Sequence, residues 1–231
     1  MPTISQLDGT IMGIFILVHG GNMSTDTWNR LTKRNTYPPG GHLGAGYWDG
    51  TVAYLTARGH RVFAPTLLDE HTHSLTDHIS RVCSLISGQG LRNVILVGHS
   101  YGGMVITGTA ARMPERIHRL VYVDAALPDP GESLFDQFAE AKVNPLSFAG
   151  LEAALAYVQK LQFDPRGIRR IPKTYLLCTK SEFAVVTKVA KQKIAAQEDA
   201  NWTYLELPTS HVPMATMPER FYLLMDKIAH Q

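Results

Sequence analysis

The chain has little of what would tie it to a membrane, a nucleic acid or an oxidising compartment. Its 231 residues hold two cysteines, Cys83 and Cys178, each in an apolar stretch, which predicts buried thiols rather than a disulfide framework or metal cluster. Charge is nearly balanced, with 22 basic against 20 acidic residues. No Lys/Arg run forms a stripe that could track phosphates, which excludes nucleic acid as a partner. No apolar run approaches the ~18 residues of a membrane span. The N-terminus also lacks a basic region followed by an apolar segment and a small-residue cleavage site. The expectation is an unprocessed protein of the reducing cytoplasm, with no membrane partner. Internal repeats and low-complexity tracts are missing too.

What is present is enough for one sizeable core. With 45% apolar residues the chain reads as a single domain over residues 1–231. Six runs of strand length recur: "GIFILVHG" (13–20), "HRVFAPTL" (60–68), "RNVILVGH" (92–99), "HRLVYVDA" (118–125), "KTYLLCTK" (173–180) and "WTYLELP" (202–208). Most are continuously apolar, the pattern of strands buried on both faces. Helical patterns lie between them, around 48–58, 75–87, 101–112, 184–196 and 218–229. This alternation predicts an α/β fold, a mostly parallel sheet with helices on both faces. Residues 128–171 break the rhythm with two helix-like stretches, 133–140 and 151–161, and no strand. They read as a short helical cap inserted over one edge of the sheet. "RNTYPPGGHLGAGY" (34–47) is a Pro/Gly-rich loop interrupting an early helical region, long enough to be functional.

The chemistry centres on "LVGHSYGGMV" (96–105). Gly98-His99-Ser100-Tyr101-Gly102 fits G-x-S-x-G where a buried strand gives way to a helix. Such a turn forces the serine into a strained conformation, and its neighbours must be small for strand and helix to approach. A serine hydroxyl needs a base to take its proton. His211, in "PTSHVPM" after the last strand, is the best placed of ten histidines. The base needs a carboxylate to fix its tautomer, and two strand ends offer one: Asp124 after "LVYV", which is preferred, and Glu182 after "YLLCTKS". For the oxyanion, the backbone N–H groups of Gly21, in "LVHGGN", and of Tyr101 are the candidate pair. His19, Phe135 and Phe138 are candidate substrate contacts. His19 would sit just beneath the site, where satisfying buried loop carbonyls is a histidine's ordinary role. The predicted cap could also supply Leu134, Phe148, Leu151, Leu155 and Tyr157 as apolar walls.

"DEHTHSLTDH" (69–78) gathers acids and histidines as a binuclear zinc hydrolase does, but Asp77 and His78 arrive two positions too late after His71 and His73. A metal-dependent hydrolase is therefore disfavoured, and no metal or cofactor is expected. A non-catalytic ligand-binding protein would be expected to have lost Ser100 or His211.

With "HGG", "GHRVFAPTL", "VGHSYGGMV", "RLVYVDAALPDPGES" and "SHVPM" in order, nearly the whole chain resembles the α/β-hydrolase superfamily. Within it, the chain is similar to the small plant esterase and hydroxynitrile lyase group and its bacterial relatives. The resemblance implies an α/β-hydrolase fold and a serine hydrolase acting on a small, largely apolar ester or lactone. It departs from the group where relatives usually carry an aspartate, about three residues past the position of Cys178. Here Ser181 stands there, with Glu182 next. Asp124 matches the alternative acid site of haloalkane dehalogenase-like members, whose nucleophile is aspartate rather than Ser100, so dehalogenation is not implied. Hydroxynitrile lyases of the group add a lysine near the base. Leu207, Pro208, Thr209 and Ser210 precede His211, which disfavours that activity. Cofactor-free oxygenases share the fold and stay as an alternative. A homodimer is the one macromolecular assembly left open.

Overall fold

The computed structural model describes residues 13–21, 23–148, 151–196 and 201–231. The N-terminal stretch read above for a leader lies largely outside them. Six strands, β1 (Ile14–Val18), β2 (Arg61–Phe63), β3 (Val94–His99), β4 (Ile117–Val123), β5 (Lys173–Cys178) and β6 (Trp202–Leu207), form one sheet in the order β2-β1-β3-β4-β5-β6. Every described pairing is parallel. Each of the six apolar runs thus yields a strand.

Burial on both faces explains why the runs are continuous. In β1 and β3, Ile16, Val18 and Leu96 face one core while Phe15, Leu17, Ile95 and Val97 face the other. The first core is closed by α3 (Leu75–Gly88), α4 (Gly102–Arg112) and α8 (Ala184–Ala196). The second is closed by α1 (Thr25–Thr32), α2 (Asp49–Ala57), α9 (Pro213–Thr216) and α10 (Pro218–Ile228). Burying each such side chain stabilises by roughly 1.5–3 kcal/mol, so the central strands carry a large share of the hydrophobic stabilisation.

Residues 128–171 differ from expectation in two ways. They connect β4 and β5, which are neighbours inside the sheet, and pack on the α3, α4 and α8 face rather than over an edge. Of the two expected helices, α5 (Leu134–Glu140) forms behind a reciprocal cap between Ser133 and Asp136, but the second shrinks to α6 (Leu155–Val158). Leu161 is instead held extended: its N–H donates to Glu132 O and its carbonyl accepts from Gly131 N–H, both at 2.8 Å. A short α7 (Pro165–Ile168) leads back to β5. The buried ammonium of Lys193 on α8 joins this segment to the sheet layer, 3.1, 2.7 and 3.1 Å from Asp129, Glu132 and Glu140.

Candidate active site

Ser100 sits where β3 ends, with φ of 54°, the left-handed region that side chains other than glycine rarely adopt. The turn is tight: a Cβ at Gly98 would lie 2.6 Å from the carbonyl oxygen of Gly102. Backbone bonds secure it to the end of β4, Ser100 N–H to Val123 O at 3.3 Å and Ala126 N–H to Ser100 O at 3.0 Å. That strand end carries Asp124, itself left-handed with φ of 43°. The carboxylate therefore emerges beside the serine, 87 positions before the histidine it meets.

The His211 Nδ1–H donates to Asp124 Oδ2 at 2.7 Å. Asp124 Oδ1 accepts the Cys178 N–H at 3.0 Å. Burial alone would push the Asp124 carboxyl up, but bonds from His211, Ser181 and the Cys178 amide outweigh it and hold the group below the usual carboxylate range. Ser181 Oγ stands 3.5 Å from the same Nδ1. Glu182 is exposed and reaches the backbone of His211, accepting its N–H at 3.4 Å, not the ring. Of the two carboxylates the sequence left open, Asp124 is the one on the imidazole.

Gly20 lets the loop bearing Gly21 lie on the elbow, since a Cβ there would be 2.6 Å from Ser100 Cβ. Its carbonyl accepts the His19 Nδ1–H at 2.8 Å, and His19 Nε2 accepts the Leu67 N–H at 2.8 Å. Because Gly20 C=O and Gly21 N–H belong to one planar trans peptide, this bond also aims the Gly21 N–H the opposite way. Burial pushes His19 down to about 4, so its ring is neutral in this role. Tyr101 opens α4, where a backbone N–H has no acceptor within the helix. Its hydroxyl donates to His78 Nδ1 at 2.9 Å, and His78 Nε2–H donates to Leu68 O at 3.0 Å. His78, suspect as a metal ligand in sequence, is thus spent on backbone and on Tyr101.

Gly21, Ser100, Tyr101, Asp124 and His211 all line one cavity of about 810 Å³. Leu134, Phe138, Phe148, Leu151 and Tyr157 line it as expected. Three expectations are corrected. His19 is not a lining residue, because both ring nitrogens are turned to backbone. Phe135 packs beside Phe138 into the core behind the wall, since Leu134 and Phe138, one helical turn apart, take the cavity face. Leu155 points to solvent, 48% exposed. Sequence reasoning missed Phe183, whose ring lies 4.5 Å from that of His211 and stacks on Phe148 at 4.7 Å. Tyr47 and His99 were also missed as site residues.

A second group of ligating side chains, His60, Asp226 and His230, lies away from the cavity. His60 Nδ1 accepts the Gly13 N–H at 3.0 Å, so the neutral ring carries its proton on Nε2 toward Asp226 at 2.9 Å. With that nitrogen protonated and Arg58 3.6 Å from the carboxylate, the group is a structural ion-pair cluster rather than a metal site.

A family model described as the alpha/beta hydrolase family matches residues 15–156. The chain is 38% identical over 154 residues to the carbendazim hydrolyzing esterase of Nocardioides sp. (strain SG-4G), covering 62% of this chain and 55% of that protein. It is 32% identical over 114 residues to the polyneuridine aldehyde esterase of Rauvolfia serpentina, covering 44% and 43% respectively. These two matches thus span about half of each relative's length. An extracellular alpha/beta-hydrolase from a Paenibacillus species superposes with a TM-score of 0.65 at 22% identity, over 93% of this chain and 98% of that one, and so supports the fold. Among the described residues no helix is long and apolar enough to cross a membrane. From the matched model, the parallel sheet and the serine elbow together, the chain belongs to the alpha/beta hydrolase family.

Proposed function

We propose that the protein is a serine hydrolase of carboxylic esters, lactones included, working through an acyl-enzyme. The observation that carries this reading is the 2.7 Å bond between His211 Nδ1 and Asp124 at a cavity that also holds the left-handed Ser100. Asp124 fixes the His211 tautomer with Nε2 free to accept a proton. His211 takes the Ser100 proton as Oγ attacks the carbonyl carbon, and the Gly21 and Tyr101 N–H groups stabilise the oxyanion. The protonated ring then gives its proton to the leaving alkoxide. Water, deprotonated by the same ring, adds to the acyl-enzyme and releases the acid. Residues 128–171 act as a cap whose Leu134, Phe138, Phe148 and Leu151, with Phe183, favour an apolar or aromatic group. Esterase relatives support the ester preference. The free thiols of Cys83 and Cys178 suit the reducing cytoplasm.

The test compares wild type with Ser100→Ala on p-nitrophenyl esters of increasing acyl length, with and without a chelator. Turnover that ignores the chelator and vanishes in the variant is expected. Turnover that survives the substitution and is lost to the chelator overturns the proposal.

A further inference from the structure

Three hydrogen bonds run through two buried side chains and join parts of the site far apart in sequence. The Gly20 N–H donates to the Tyr47 hydroxyl. Tyr47 Oη lies 3.0 Å from His99 Nδ1, and His99 Nε2 lies 2.7 Å from the carbonyl oxygen of His211. A carbonyl only accepts, so His99 carries its proton on Nε2. The neutral ring then accepts at Nδ1, which makes the Tyr47 O–H the donor there and leaves a lone pair on Oη for the Gly20 N–H. For a neutral His99, only this proton placement satisfies all three bonds. The path starts at the loop bearing Gly21 and ends at the backbone of the base, passing beside Ser100.

Each group is locked. Tyr47 and His99 are both 2% exposed. The Tyr47 ring stacks on Trp28 at 6.3 Å and packs against Trp48 at 5.1 Å. Burial pushes His99 down to about 3, against its ordinary value of 6.5, so the neutral form persists at any working pH. Packing alone would be served by a phenylalanine at 47. A hydroxyl bonded on both sides does something packing does not: it fixes one peptide of the oxyanion loop relative to the imidazole-bearing loop. Tyr47 is also the last residue of the Pro/Gly-rich stretch 34–47, which carries no other part of the proposed reaction.

We infer that Tyr47 and His99 are positioning residues, a relay that holds the oxyanion loop and the His211 loop in register across Ser100. The inference rests on the ester hydrolase reading. Neither residue exchanges a proton with substrate. Their effect is on where the Gly21 N–H and the His211 ring stand when the tetrahedral intermediate forms, and displacement of about 1 Å there costs up to ~100-fold in rate.

The experiment measures kcat and KM on a p-nitrophenyl ester, and the affinity of an alkyl boronic acid that forms a tetrahedral adduct with the serine. Wild type, Tyr47→Phe, His99→Gln, His99→Leu and the Tyr47→Phe/His99→Leu double variant are compared. Tyr47→Phe is expected to lower kcat by about 10- to 100-fold and boronate affinity in parallel, with KM within about twofold. His99→Gln, which keeps a donor toward the His211 carbonyl, should retain more activity than His99→Leu. The double variant should fall no further than the worse single one. Wild-type kcat and boronate affinity in Tyr47→Phe overturn the relay, as does equal loss of kcat, substrate affinity and melting temperature, which marks a merely structural part. Nitrogen NMR of the wild type offers a check that needs no variant: His99 should carry its proton on Nε2, and the Nδ1–H tautomer overturns the relay. A wild type that hydrolyses no ester and takes no fluorophosphonate label overturns the hydrolase reading, and the relay with it.

Discussion

On the histidine side of the cavity, His19, Tyr47 and His99 are buried, neutral and bonded to backbone, each with one proton placement. Where residues 69–76 meet 152–159, several contacts are ones water reaches. There Thr76 and Gln159 exchange two exposed bonds at 2.9 and 3.0 Å, while the buried Tyr157 donates its hydroxyl to Glu70 at 3.3 Å. His71 stands 4.0 Å from Glu152, with their side chains 52% and 77% exposed. On the proposed reaction, the difference suits two needs. Transition-state stabilisation requires donors held to fractions of an ångström, whereas substrate entry requires a wall that opens at low cost.

On the proposed reaction, the contrast is broken most severely at Ser100 and His211. Ser100→Ala or His211→Ala should lower turnover by on the order of 10^4- to 10^6-fold, while Gln159→Ala at the exposed junction with Thr76 stays within about threefold. Steady-state kinetics on one ester decides it. Next, Asp124→Asn should cost about 10^3- to 10^4-fold and Glu182→Gln less than about threefold. The reverse order would move the acid to Glu182.

Acid sharpens the comparison through stability. Burial lowers His19 to about 4 and His99 to about 3 in the folded protein, while both bind a proton near 6.5 when unfolded. Below pH 6.5 the unfolded state therefore holds more protons, and stability falls as pH drops toward the folded values. Each histidine contributes about 1.4 kcal/mol per pH unit in that window. Urea unfolding at pH 7 and pH 5 should show the loss, and His99→Gln should flatten it. An unchanged slope in the variant counts against the buried neutral ring.

The α5 wall should respond in binding rather than chemistry. Phe138→Ala is expected to raise KM for bulky esters by up to about tenfold with kcat within about threefold, and Phe135→Ala to leave KM alone. The smallest effect belongs to Lys193→Met, which leaves three carboxylates without their ammonium. A loss of about 1 kcal/mol, reduced in high salt, should appear in unfolding titrations with activity intact.

The sheet was legible because burial on both faces writes itself as uninterrupted apolar runs, as in "VILVGH". The elbow was legible because one conformation dictates its glycines. Asp124 was preferred over Glu182 but not settled on the same grounds: both follow a strand, and the backbone bonds between the ends of β3 and β4 are what bring Asp124 under the imidazole. Tyr47 and His99 were hidden for another reason. Their partners lie 27, 52 and 112 residues apart, and no local pattern records a bond of that span. The second cap helix failed because a bridge from Leu161 back to Glu132 outcompeted its helical propensity.

Ser100 and Asp124 share one property that bears on descent. Both hold a side chain at a left-handed backbone position, φ of 54° and 43°, which costs each on the order of 1 kcal/mol relative to glycine. Mutation under selection for folding alone would therefore drift toward glycine at both sites. Lys33, Asn93 and Lys142 are left-handed as well, with no part in the proposed reaction, so what sets Ser100 and Asp124 apart is that their strain falls at the cavity. On the proposed reaction, a lineage that gave up the chemistry but kept the scaffold could relax these two sites and become the more stable protein.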